Sequence, residues 1–246
     1  MKKISIMNIN FLATTMKDLV DKLTKTKVQN AYICVSNVHT TVMSQKSSEY
    51  KNIQNSSYMT LTDGKPIQLL ARQKFNQCER ITGPDLMSEI FESTQFTNQS
   101  HFFYGSTEET LDKMIKNLKS KFPGIKINGY ISPPYRELSK KEQQEYINKI
   151  NESSPTYLWV GLGAPKQEIW MHSNYTEINS LLIGVGAGFD YHANNIKRAP
   201  KWMQKISCEW LYRLIQDPKR LAKRYFIYNT LFIYYLFKEK VGRLSS

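Results

Sequence analysis

The sequence predicts an α/β protein: a Rossmann-like, mostly parallel sheet with helices on both faces, followed by a basic helical C-terminal appendage. Three observations carry that prediction. Short apolar runs alternate with helical patterns from residue 3 to about residue 190. Glycine turns close several of those runs, most clearly in Leu158-Trp159-Val160-Gly161-Leu162-Gly163-Ala164-Pro165-Lys166-Gln167. Beyond Pro200 the pattern is helical only, which divides the chain into 1–196 and 197–246.

Taken in order, 3–11 and 31–36 read as short strands with a helix over 16–25 between them. A second helix is predicted over 38–51. Residues 58–62 form a strand ending on Asp63-Gly64, and a helix follows over 66–74. Gly83-Pro84 stops what precedes it, and Asp85 is placed to cap a helix running to Glu92. Residues 101–104 are a strand. Ser106 and Glu109 then have capping-box spacing for a helix to Lys121. After a strand over 126–130, Ser132-Pro133-Pro134 forces a loop, and Ser139 with Glu142 repeats the capping-box spacing ahead of a helix to Ile150. The buried strand over 157–160 runs into Gly161 and Gly163. Pro165 suits the first turn of the next helix, where a missing N–H costs nothing. Residues 181–185 are the last strand and lead into Gly186-Ala187-Gly188. In the appendage, 202–214 reads as one helix, and Pro218 opens another whose aromatic face continues to Phe237.

Composition narrows the function classes. With 246 residues and 41% hydrophobic content, the chain can bury a large core. No apolar run approaches the roughly 18 to 20 residues of a membrane span, and the first ten residues lack a signal-peptide core, so a cytoplasmic protein is expected. Cys34, Cys78 and Cys208 are scattered without a CxxC pair, which argues against zinc and against a disulfide framework. The net charge of +13 is concentrated: residues 197–246 hold twelve Lys and Arg against Glu209, Asp217 and Glu239, with ten of the thirty aromatics. Basic residues interleaved with aromatics suit an anionic membrane surface or a nucleic acid.

The candidate chemistry lies at strand ends, where ligands collect on such sheets. Asp63 follows a strand directly, and a carboxylate there can accept a proton from a hydroxyl nucleophile. Taken alone, Asp-Gly is also a common turn pair. Asn37 and His39 follow the strand ending at Ser36. Arg80 can pair with a phosphate or orient a sugar, or lie as an ordinary surface arginine. The turn at Gly161 and Gly163 brings backbone N–H groups together beside Lys166 and Gln167, a place for an anionic or polar ligand. Gly184 to Gly188 superficially resembles a methyltransferase or dinucleotide turn, but no second strand with a ribose-binding acid follows it. Arg213, Arg220 and Arg224 are spaced by seven and four residues and would share a face of a continuous helix, able to clamp a diphosphate. There is no Asp-x-Asp pair, so neither a metal nor another cofactor is implied.

Taken together, Thr62 to Pro66, Arg80 to Leu86, Val160 to Trp170, Gly184 to Asp190, Ile196 to Trp202 and Glu209 to Leu214 resemble the WecG/TagA/CpsF family of bacterial glycosyltransferases, in order and over nearly the whole chain. Pro218, Arg220-Leu221 and Arg224-Tyr225 extend the match. The resemblance implies inverting, metal-independent transfer from a UDP-sugar to a sugar on a polyprenyl diphosphate, at the cytoplasmic face of the membrane. The sugar expected is N-acetylmannosamine, its uronic acid or another hexose. Asp63 matches the family's proposed general base. Arg80 and Gln167 match residues placed around the donor, and Arg213, Arg220 and Arg224 match a basic appendage that closes over the site. Asn37, Thr62, Gly161, Gly163 and Lys166 complete the expected substrate-binding set. Val35 and Ser36 stand where a threonine is often found, and Gly188 where a bulkier residue is common. The rival class is a basic nucleic-acid-binding protein, which accounts for the tail but leaves Asp63, Gln167 and the glycine turns without a role. The exposed apolar appendage can also drive self-association into a homo-oligomer.

Overall fold

The computed structural model describes residues 1–200, 202–203 and 208–244, with the backbone alone at 220, 240 and 242–244. Six parallel strands form the sheet: β3 (Ala31–Ser36), β4 (Met59–Thr62), β5 (Ser100–Gly105), β6 (Lys126–Ile131), β7 (Tyr157–Gly161) and β8 (Leu181–Gly184). Their order across the sheet is β4-β3-β8-β7-β5-β6. The strands end nearly level, with Ser36 opposite Thr62, Cys34 opposite Gly184, Val160 opposite Gly184 and Tyr104 opposite Ile131. That level edge brings the loops after β4, β3, β8 and β7 into one row.

Period-two alternation builds a core on each face. On one side Ile33, Val35, Phe103, Trp159 and Ile183 pack against α1 (Met16–Lys25), α5 (Gly83–Thr94) and α6 (Glu108–Lys121). On the other, Tyr32, Cys34, Leu158, Val160 and Leu182 meet α3 (Ser48–Asn55), α7 (Lys140–Ser153) and α8 (Lys166–Asn174). The remaining elements are the hairpin β1 (Lys2–Ile6) and β2 (Ile9–Ala13), the helices α2 (Val38–Lys46), α4 (Lys65–Lys74) and α9 (Gly188–His192), and the tail helices α10 (Glu209–Gln216) and α11 (Pro218–Leu244).

A third core joins the two ends of the chain. Phe232 of α11 is 5% exposed and packs with Ile4, Ile6, Phe11, Val42 and Ile67, while the Met7 N–H donates to Glu239 Oε1 at 3.2 Å. Tyr228, Leu231 and Tyr235 line this inward face of α11. Phe226, Ile233, Phe237 and Val241 form the opposite, exposed stripe. Among the described residues no helix is long and apolar enough to cross a membrane.

Several local expectations change. Residues 3–11 are two antiparallel strands, because Met7 and Asn8 both take positive φ (51° and 59°) and turn the chain back. The helix expected over 38–51 breaks at Ser47, whose side chain accepts the Tyr50 N–H at 3.1 Å and starts α3. Thr82, not Asp85, caps α5, accepting the Asp85 N–H, and Gly83-Pro84 lie inside the first turn. Thr107 caps α6 in place of Ser106. Pro165 is the cap residue of α8, which begins at Lys166. Residues 202–214 are not one helix, since Cys208 is the non-helical residue that precedes α10; 204–207 lie outside the described residues. The capping box of Ser139 and Glu142 holds as expected.

Candidate active site

Asp63 leaves the end of β4 half-buried, and its backbone N–H donates to the Ser36 carbonyl at 2.9 Å. Its Oδ2 accepts from Asn37 Nδ2 at 3.4 Å. Asn37 is itself fixed, since its Oδ1 caps α2 by accepting the His39 N–H at 3.0 Å. Thr62 is fully buried, and it organises Arg80. The Thr62 hydroxyl donates to the Glu79 carbonyl and its own carbonyl accepts the Ile81 N–H, both at 2.9 Å, so Arg80 is held between those bonds beside Asp63.

Burial pushes the Asp63 carboxyl up to about 6. The positive charges of Arg80 and Arg213 and the Asn37 bond oppose that rise, and the nearby Glu209 adds to it. A carboxylate with this proton affinity is suited to general-base work near neutral pH. Arg80 Nη2 donates to Glu209 Oε2 at 2.9 Å, and Arg198 Nε lies 3.6 Å from Glu209 Oε1. Arg198 also pairs with both carboxylate oxygens of Asp85, and those bonds with the Thr82 hydroxyl outweigh burial and lower the Asp85 pKa. The guanidiniums of Arg198 and Arg213 stand 5.8 and 5.7 Å from the Tyr191 ring. α10 is thereby tied to the strand-end row by charge and by stacking.

The continuous helix expected to carry Arg213, Arg220 and Arg224 is two helices. α10 ends at Asp217, so Arg213 lies on one helix while Arg224 lies on α11, and no continuous face is shared. Arg224 approaches His39, whose pKa falls to about 4 through burial first and this cation second. The His39 ring packs edge-on to Tyr228 at 4.2 Å, a structural contact for a neutral imidazole. The Arg220 side chain lies outside the described residues.

At the β7 end, Gly161 is required by space. A Cβ there would come within 2.6 Å of the Phe189 ring, which is buried and packs edge-on to Phe103. Gly161→Ala is expected to destabilise the protein by about 1–3 kcal/mol, since the ring has nowhere to go. Urea unfolding of the variant measures this, and an unchanged midpoint would contradict the packing. Gly163 turns the chain at φ +77°, and Lys166 is exposed with its Nζ 5.4 Å from the Tyr135 ring. Gln167 is only 3% exposed and points under the β8 loop: its Oε1 accepts the Gly186 N–H at 3.0 Å, and its Nε2 donates to Glu168 Oε1 at 2.8 Å.

The row at the strand ends thus combines a carboxylate of raised proton affinity, two guanidiniums facing it, and glycine turns. Residues 4–246 match the model of the glycosyl transferase WecG/TagA/CpsF family. The chain belongs to this family. Among similar curated proteins is the Bacillus subtilis (strain 168) N-acetylglucosaminyldiphosphoundecaprenol N-acetyl-beta-D-mannosaminyltransferase, 29% identical over 88% of this chain and 84% of that protein. The Staphylococcus aureus (strain MW2) protein of the same name is 28% identical over 97% of this chain and 93% of its own length. As a glycosyltransferase, the chain has its candidate base and basic appendage on one face. Glu209, Arg198 and Tyr191 join the site without having been singled out from sequence. Glu209 carried one signal: it is an acid in a strongly basic segment, and such an acid needs a reason.

Proposed function

We propose that this glycosyltransferase is an inverting, metal-independent enzyme that moves a sugar from a UDP-sugar to a hydroxyl of a sugar carried on a polyprenyl diphosphate, for cell-surface polysaccharide synthesis. The names of the relatives point to N-acetylmannosamine as the donor sugar and to N-acetylglucosaminyl diphosphoundecaprenol as the acceptor. In the reaction the acceptor oxygen attacks the anomeric carbon and its proton passes to Asp63. The bond to the β-phosphate oxygen breaks, and UDP leaves with the electron pair.

The observation that carries this reading is Asp63 beside Arg80 and Arg213, with a pKa of about 6 set by burial against those cations. The base is ionised at neutral pH, and the same cations can meet the charge that grows on the departing UDP. Asn37 steadies Asp63, Lys166 stands at the rim, and Gly161 and Gly163 line the turn beside the donor. Arg224 would reach the diphosphate from α11. The exposed stripe of Phe226, Ile233, Phe237 and Val241, with Lys223 and Lys238 also exposed, favours an anionic membrane surface on the cytoplasmic side, where the acceptor lipid would lie.

The test is UDP release from a panel of UDP-sugars, with a polyprenyl-diphosphate-linked N-acetylglucosamine acceptor in anionic liposomes. Acceptor-dependent release from one donor is expected, with the highest rate for UDP-N-acetylmannosamine. Donor-independent silence from liposome-bound, folded protein, combined with salt-sensitive binding to DNA or RNA, would favour the nucleic-acid reading instead.

A further inference from the structure

Behind the strand-end row lies a set of buried polar side chains that the transfer chemistry does not use. Glu168 is 1% exposed, and burial raises its pKa. A buried carboxyl without a cation is costly, and an apolar residue of similar size would pack there at no such cost. Its contacts run two ways. Toward β8, its Oε1 accepts from Gln167 Nε2 at 2.8 Å, and Gln167 Oε1 holds the Gly186 N–H at 3.0 Å. Gly186 sits at φ +53°, in a loop that needs fixing. Toward β3, the Tyr50 hydroxyl lies near both Glu168 and Gln54 but hydrogen-bonds neither, while Gln54 Oε1 accepts from Ser36 Oγ at 2.5 Å. The Ser36 carbonyl in turn takes the Asp63 N–H. Gln54, Tyr50 and Ser36 are all at most 4% exposed.

We propose that Glu168 is a positioning residue: by accepting from Gln167 Nε2 it fixes the amide whose Oε1 holds the Gly186 loop at the end of β8. This rests on the transferase reading for its kinetic consequence, though not for its structural one. Gln167 then acts through the loop it carries, with both ends of its amide spent inside the protein.

The experiment compares Glu168→Leu, Glu168→Gln, Gln167→Ala and the Gln167→Ala/Glu168→Leu double variant. Leucine removes the acceptor for Gln167, and kcat is expected to fall on the order of 10- to 100-fold, the scale of a misplaced reacting group. The thermal midpoint should hold or rise, because a buried polar group has been replaced by an apolar one. Glutamine keeps a carbonyl for Gln167 Nε2 and should restore kcat to within about threefold of wild type, the cost of one retained neutral hydrogen bond. The double variant should be no slower than the slower single variant, because both act through one bond. Full kcat in Glu168→Leu, or strictly additive losses, would overturn the proposal. Hydrogen exchange at the Gly186 amide in unliganded protein provides a readout independent of substrate: protection should be lost in Glu168→Leu and Gln167→Ala and kept in Glu168→Gln. Wild-type protein inactive with every donor would sink the transferase reading alone. Retained Gly186 protection in Glu168→Leu would sink this one.

Discussion

Asp63→Ala is expected to lower kcat by about 10²–10⁴-fold, the usual worth of a positioned general base, while donor binding changes little. The wild-type pH profile of kcat/KM should rise as pH increases through about 6 and then level off, because the base works only when ionised and burial holds its proton to about that pH. Stability should move the other way. Folded Asp63 keeps its proton up to about pH 6, whereas the unfolded chain releases it near the ordinary aspartate value of 3.8. Between those values the native state binds more protons, so the Asp63 contribution to stability falls as pH rises and stays low above 6. Asp63→Asn should therefore melt at a higher temperature than wild type at pH 7.5, with the gain gone at pH 4. A flat rate profile between pH 5 and 7, or no stabilisation by asparagine, would remove Asp63 from the role of base.

Arg80→Ala should cost about 10²–10³-fold in kcat, as removal of a charge-stabilising donor does elsewhere. Lysine should recover only part of it, since the planar fork that matches phosphate oxygens is lost. Two pH shifts of opposite sign accompany this. Arg80 lowers the Asp63 pKa, so the acidic limb in Arg80→Ala should move above 6. Glu209 raises that pKa, so in Glu209→Gln the limb should move below 6. Glu209 also holds Arg80 at 2.9 Å, and glutamine there should lower the donor KM by leaving the guanidinium to the diphosphate. Limbs that stay together in all three proteins would separate Arg80 and Glu209 from the base.

The sheet was legible because most of its strands are short apolar runs closed by a turn, and a parallel sheet buries both faces of such runs, whereas the edge strand β6 is only partly buried. Asp63 and Asn37 followed from their place after those strands. Local capping was less legible. Thr82 and Asp85, or Ser106 and Thr107, are nearly equivalent cap formers, and backbone geometry chooses between them. The hairpin turn was hidden because the run over 3–11 is apolar on both sides of Met7-Asn8, with Asn8, a residue tolerant of positive φ, as its main clue. The direction of Gln167 was not available from pattern at all. A helix start says that the residue faces the turn, and only packing says whether it faces ligand or protein. The Arg80–Glu209 pair spans 129 residues, and no local signal records a contact at that distance.

The core shared by the hairpin and α11 has a consequence for how the chain is made. Met7 and Glu239 are 232 residues apart, yet the hairpin completes its burial only against α11. At roughly 5–20 residues per second, the first strands leave the ribosome on the order of 10–45 seconds before their partner exists. Through that interval Ile4, Ile6 and Phe11 lack Phe232, and the sheet can form without them. α11, made after every strand of the sheet, therefore closes the hairpin core, and the same packing leaves Phe226, Ile233 and Phe237 on its outer side.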